Sequence, residues 1–374
     1  MKSENDVIIV GGGLAGLTYA IHLLKFGFKV TLIEKNTYPH HKVCGEYISN
    51  EVLPYLKWLD LDPAQLEPTT INRLSISSAS GKTIHSKLPL GGFGISRFTL
   101  DNFLNEKALQ NGCDIITDLV TSIDFKDETF SVGTTKSGLL NARIVIGAYG
   151  KRSSLDQKME RLFIQKKSPW LAVKAHYNGD FPDDLVALHN FKGGYCGVSK
   201  VENSVINICY LTDYQSFKTH KNIADFQKQV LYQNPQLKEI FEKCVPLFDQ
   251  PLTISQVSFE KKEPVFNHVL MIGDTAGLIH PLCGNGMAMA IHSAKICAEL
   301  TIQFLNGTIS SRSVFESSYK KEWNRNFKKR LAVGKLLSCI IRKEKLFAPL
   351  LNLLIKFPLI LPAIIKKTHG KPII

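Results

Sequence analysis

Apolar and polar positions follow two different periods along this chain, and the places where the period changes mark its elements. Residues 7–10 are an unbroken apolar run, the pattern of a short strand buried on both faces. Leu14, Leu17, Ile21 and Leu24 then share one helical face, which predicts a helix over about residues 14–25 with Gly27 as its stop. A second apolar run, 30–33, ends at Glu34. Residues 36–50 lose periodicity and hold His40, His41, Lys42, Cys44, Gly45 and Glu46, the composition of a functional loop. Residues 74–78 and 82–88 alternate as hairpin strands around Ala79-Ser80-Gly81. A helix follows over about 100–110 and stops near Gly112, and 142–147 is another buried strand. From about 170 to 258 strands alternate with turns, with 190–197 read as a turn and 205–211 as the strand after it. The last buried strand is 269–272, and a long apolar helix runs from near Gly286 to near Leu305.

The first two strands bracket a glycine motif, Gly11-x-Gly13-x-x-Gly16, and Glu34 follows Gly13 by 21 residues. Strand, glycine turn, helix, strand and acid in this order form a dinucleotide fingerprint. Gly11 permits the tight turn, Gly13 lets backbone N–H groups approach a pyrophosphate, and Gly16 lets the helix lie close to the strand. The anion sits at the helix N-terminus, and Glu34 can accept both ribose hydroxyls. Glycine-rich strand ends recur at 147–150 and 273–277. One nucleotide domain is therefore expected from three separated pieces: 1–72, 96–155 and 262–308. Residues 73–95 and 156–261 would form a second, substrate-binding domain, and 309–374 a helical C-terminal segment.

Bulk composition is that of an ordinary globular protein, with 44% hydrophobic and 21% charged residues. Residues 1–6 run straight into the first strand and do not read as a signal peptide. The eight cysteines are scattered without a CxxC pair, so reduced thiols and a cytoplasmic location are expected, with neither a disulfide frame nor a metal site. The net charge of +13 is uneven, because residues 301–374 carry 15 Lys and Arg against 3 Asp and Glu. Within that segment 346–365 holds a single charge, Lys356, and is interrupted by Pro349, Pro358 and Pro362, which are expected to break it into short helices. Clustered cations beside broken apolar helices suit an anionic membrane surface, which would make the protein peripheral on the inner membrane face. The competing reading is that these helices only cap the substrate domain. Nucleic acid fits poorly, since the cations lack interleaved aromatics and no nucleic-acid motif is present.

These motifs together resemble the FAD-dependent oxidoreductases of the p-hydroxybenzoate hydroxylase fold, and within them most closely the geranylgeranyl reductase family. The residues that carry the resemblance are the Gly11–Gly16 motif with Glu34, the segment Lys42-Val43-Cys44-Gly45-Glu46, Arg97 followed by Asp101, and Gly273-Asp274-x-Ala276-Gly277 continuing through Pro281 to Gly284-Asn285-Gly286. The implied fold is α/β: a Rossmann-like FAD-binding domain, an inserted mixed β-sheet substrate domain and a helical C-terminal extension. The implied cofactor is FAD, with NADPH, NADH or ferredoxin as electron donor. The implied cofactor-binding residues are Gly11, Gly13, Leu14, Ala15, Gly16, Glu34, Lys35, Lys42, Cys44, Arg97, Gly150, Gly273, Asp274, Pro281, Gly284, Asn285 and Gly286. Asp274 would hydrogen-bond a cofactor hydroxyl, unless it serves as a helix cap. The Gly284–Gly286 turn would open a helix toward the pyrimidine end of the isoalloxazine, where a helix N-terminus stabilises negative charge by about 0.3–2 kcal/mol. Cys44 and Glu46 are the candidate catalytic residues, Cys44 against the alternative of a core thiol and Glu46 against those of a group supporting the site from behind and of a solvated acid. Tyr195, Cys196 and Gly197 either line the substrate pocket or form a hairpin turn. Two departures matter. Tyr149 stands where many hydroxylases of this fold have Asp, which weakens the case for a standard aromatic hydroxylase. Trp58, Trp170 and Trp323 are far apart, without the paired tryptophans of flavin halogenases, and that branch is set aside.

The leading expectation is reduction of a C=C bond of an isoprenoid or other lipid-like substrate by hydride transfer from reduced flavin. A flavin monooxygenase acting on an aromatic or polyene metabolite is the alternative. A membrane-associated flavoprotein that binds a lipid without turnover is the third.

Overall fold

Residues 5–374 are described in the computed structural model, except for the side chains of Arg342 and Glu344; the reading of residues 1–4 as a lead-in lies outside the described residues. Two sheets carry the architecture. In the first, strands lie in the order Val265–Phe266, Val269–Met271, Leu139–Gly147, Asn5–Val10, Val30–Glu34 and Asp114–Thr117. All neighbours after the first pair run parallel. Their apolar runs are buried on both faces, as a parallel sheet covered by helices requires. The glycine-rich segments after residues 10, 147 and 271 therefore leave one edge of one sheet side by side. The helices Leu14–Leu24, Arg97–Gln110 and Gly286–Leu305 pack together against this sheet. Gly16 allows the first of them to lie down: a Cβ there would sit 2.1 Å from the Gly11 carbonyl oxygen.

The second sheet has nine strands. Its spine is Trp170–Asn178, Ile206–Asp213, Gly194–Lys200, Leu185–Phe191, Thr69–Ser77 and Thr83–Gly94, with Tyr47–Ser49 at one end. Tyr47–Ser49 and residues 69–72 thus belong to this sheet, although the sequence assigns them to the nucleotide piece 1–72. The expected turn at 190–197 is instead a tight hairpin: only Lys192 and Gly193 turn, and Tyr195, Cys196 and Gly197 lie on a strand. Glycine density made the turn look longer than it is. The helix expected from residue 100 begins at Arg97, because the Ser96 hydroxyl accepts the Thr99 N–H at 3.1 Å and starts the helix a turn earlier.

Three helices end the chain: Arg312–Arg342, Glu344–Lys356 and Ile360–Thr368. Pro349 does not break its helix, contrary to the sequence reading; it lies inside Glu344–Lys356 on the exposed side. Pro358 marks the break, and Pro362 falls in the first turn of the last helix, where a missing N–H leaves no intrahelical bond unmade. The last two helices meet at a bend of 118° and pack on strand Thr83–Gly94 and helix Arg312–Arg342.

Candidate active site

One cavity of about 620 Å³ starts above the first glycine motif and ends under the last two helices. At its nucleotide end lie Gly13, Leu14 and Ala15, the start of the first helix. That helix has no side-chain cap and no acid in its first turn, whereas Ser96, Ser153, Asn234 and Ser311 cap helices elsewhere. Uncapped N–H groups facing a cavity suit an anion. Two cations stand over them: a Cβ on Gly13 would lie 3.6 Å from Arg97 Nη2 and 3.9 Å from Lys42 Nζ. Both are tied to Asp101, Arg97 through two bonds of 2.7 Å and Lys42 through one of 2.9 Å. Burial alone would raise the Asp101 carboxyl, but the charges and hydrogen bonds of Arg97 and Lys42 outweigh it and hold it below the usual range. Two cations on one carboxylate leave a net positive charge beside the helix end, the complement of a diphosphate. Glu34 closes this end: its Oε2 accepts the Gly12 N–H at 2.7 Å and its Oε1 the Asn36 N–H at 3.1 Å. Lys35 lines the cavity next to it.

Gly150, Gly273 and Asp274 form the middle of the wall. The Gly150 N–H donates to Thr275 Oγ1 at 2.8 Å, joining the second and third glycine segments. Arg161, fully buried, donates to Asp156 Oδ1 (2.9 Å), the Thr275 carbonyl (3.0 Å) and the Glu263 carbonyl (2.9 Å). Lys262 donates to the Asp274 carbonyl at 2.8 Å. Burial pushes this amine down to about 8, although Asp156 and Asp274 act to raise it. Further along stand Pro281, Gly284 and Gly286, where helix Gly286–Leu305 begins, again without a side-chain cap or a first-turn acid. Asn285 is the N-cap residue of that helix, and its side chain stays out of the cavity. Its Nδ2 donates to Glu51 at 3.2 Å and its Oδ1 accepts from Arg330 at 3.4 Å, so the side chain turns away and only the neighbouring backbone faces the site. Gly11 and Gly16 lie beneath the cavity as turn and packing positions.

Cys44 and Glu46 sit at the junction between this polar half and an apolar half. Their loop is fixed by Lys151 Nζ on the Val43 carbonyl (2.8 Å) and Asn207 Nδ2 on the Cys44 carbonyl (3.3 Å). Cys44 is a free, partly exposed thiol. Glu46 is fully buried and accepts three bonds: Lys174 Nζ (2.6 Å) and the Arg97 N–H (2.8 Å) on Oε1, and His176 Nε2 (2.7 Å) on Oε2. Burial would raise its pKa; the His176 bond and the Lys174 charge override that and hold it below the usual carboxylate range. It is therefore ionised at neutral pH and is no solvated acid.

The apolar half is walled on one side by Tyr195 and Gly197 of the second sheet, with Leu74 and Leu188. Cys196 points the other way, into the core with Tyr210 and Phe226, because alternate residues of a strand face opposite sides. The opposite wall is the tail: Ile341, Phe347, Leu350, Leu354, Leu361 and Ile365. Sequence reasoning missed this wall and missed Lys174 and His176. The second pair had a signal, two ionisable residues two apart in an otherwise apolar strand, Trp170–Asn178. The first had none beyond helical spacing at 347, 350, 351 and 354, which says that a face is buried and not what it faces.

Comparison with known proteins agrees with this cradle. The FAD binding domain family matches residues 4–325. The digeranylgeranylglycerophospholipid reductase of Methanosarcina acetivorans is 22% identical, covering 86% of this chain and 81% of its own. Two solved structures share the fold: the flavin-dependent brominase Bmp2 (TM-score 0.79, 17% identity, 98% of this chain and 94% of that one), and a geranylgeranyl bacteriochlorophyll reductase-like protein of Thermoplasma acidophilum (TM-score 0.74, 20% identity, 90% and 87%). The likeness thus extends to halogenases, the branch that tryptophan spacing sets aside, and at these identities it is a likeness of fold.

Proposed function

The chain belongs to the FAD binding domain family of FAD-dependent oxidoreductases, and from that premise we propose that it reduces a carbon–carbon double bond of an isoprenoid or comparable apolar chain. FAD, once reduced, supplies the hydride for such a step. Gly13, Lys42 and Arg97 would hold its diphosphate, Glu34 its ribose, and Asp274 with the helix end at Gly284 and Gly286 the flavin side. The observation that carries the reading is the aliphatic half of the cavity, which opens directly off the flavin side and is closed over by the tail helices. Such a wall excludes water and binds an apolar chain by contact area rather than by hydrogen bonds. Cys44, at the junction, is the candidate to hand a proton to the second carbon. Glu46, ionised and held from three sides, fixes the position of that loop instead.

The test is an anaerobic single turnover. Polyprenyl lipid added to protein reduced with dithionite should restore the oxidised flavin spectrum and yield a product heavier by two hydrogens. If no polyprenyl substrate does so, the reading is wrong. A flavin monooxygenase is the second reading, favoured by the likeness to the brominase, since one fold carries both chemistries. Mixing reduced protein with oxygen separates them: release of one hydrogen peroxide per flavin fits the reductase, and oxygen incorporated into an aromatic or polyene acceptor fits the monooxygenase.

A further inference from the structure

The last two helices have two apolar faces, and only one of them is used by the fold. The inner face, with Phe347, Leu351, Leu354 and Leu361, is buried against the second sheet and the cavity. The outer face collects at the 118° elbow: Leu353, Ile355, Phe357, Leu359 and Ile360 are exposed there, Leu359 at 86%. Among the described residues nothing covers this elbow. The lysines of the same two helices, Lys345, Lys356, Lys366 and Lys367, are exposed, and among the described residues none pairs with an acid. Among the described residues no single helix is long and apolar enough to cross a membrane. Exposed apolar side chains at a bend between two helices whose lysines are unpaired fit shallow insertion under anionic headgroups. A protein partner matching the same patch would need acids beside an apolar socket; an apolar tip as exposed as Leu359 on lysine-bearing helices favours the flat, anionic, deformable surface.

We propose that the elbow between helices Glu344–Lys356 and Ile360–Thr368 docks the protein on an anionic lipid bilayer, so that the two helices separating the cavity from solvent also separate it from the membrane. This deepens the function proposed above by stating where an apolar substrate comes from, and its test does not depend on turnover. The full-length holoprotein is mixed with vesicles of phosphatidylcholine alone or with added phosphatidylglycerol, and the bound fraction is read by sedimentation. The wild type should bind the anionic vesicles, less so as salt rises. Phe357→Glu with Leu359→Glu should weaken binding at least about tenfold, while flavin absorbance and melting temperature stay unchanged, since both positions are exposed. Lys356→Glu with Lys366→Glu and Lys367→Glu should remove the preference for phosphatidylglycerol. Equal binding by wild type and the elbow variant overturns the proposal. So does a vesicle-free dimer that the same variant dissociates, which would make a second copy the occupant. Vesicle binding without lipid reduction would leave the docking standing and defeat the reductase reading.

Discussion

At the nucleotide end of the cavity two cations share one buried carboxylate above a helix start; at the far end aliphatic side chains from a sheet and two tail helices close over one another. The first end works by placement. Lys42, Arg97 and Asp101 are fixed by hydrogen bonds of 2.7–2.9 Å, and the glycine below them leaves room for an anion. The second end works by area, where side chains of similar volume could exchange without loss of function. Placement restricts residue type at each position and leaves a compact motif; area restricts only apolar character, spread over distant segments.

Variants can probe each end and the seam between them. Lys174→Met acts at the seam. It leaves the Glu46 carboxylate buried with fewer donors, and urea unfolding should show a loss of about 3–5 kcal/mol; a loss under about 1 kcal/mol would mean that this cluster does not hold the two domains in register. Gly13→Val acts at the placement end alone. Filling the space under Arg97 and Lys42 should weaken FAD binding about 100-fold, about 2.7 kcal/mol, with the far-ultraviolet spectrum intact; undiminished flavin affinity would remove the diphosphate assignment. Leu350→Trp acts at the area end alone. The Michaelis constant for an apolar substrate should rise about tenfold, about 1.4 kcal/mol, at unchanged FAD affinity, and a parallel loss of FAD would show that the two ends are not separable. Glu46→Gln should lower stability at neutral pH and converge with the wild type in acid. The folded pKa of Glu46 lies below its ordinary 4.5, so its contribution is present above pH 4.5 and is lost as pH falls through the lower folded value. The wild type should therefore lose stability more steeply below pH 4.5 than the variant, and parallel curves would show that the carboxylate is not stabilised by its partners.

The same contrast explains what could be read in advance. Gly13 and Glu34 were marked by the spacing of the glycine motif, Arg97 and Asp274 by the resemblance, and all four line the one cavity. Asn285 was read through the N–H groups of its turn, and its side-chain direction, drawn toward Glu51 and Arg330, was not legible because sequence position does not carry it. Cys196 was grouped with Tyr195 and Gly197 for want of the strand register that splits them between two faces. The basic tail was recognised, and its alternative reading as a cap describes its inner face. Its part in the cavity wall depends on contacts between residues near 75, 188 and 350, which no local pattern encodes.

Glu51 carries a consequence of its own. It is buried, it binds Asn285 beside the flavin-side helix and Arg330 of the tail, and it accepts the Gly370 N–H at 2.6 Å while its carbonyl accepts that of Ile373 at 2.7 Å. Glu51 thus latches the turn at Gly284–Gly286 to residues some three hundred positions beyond Glu51 itself. During synthesis that latch can close only after residues 370–373 have emerged, so the wall beside Gly284–Gly286 is the last part of the chamber to be secured.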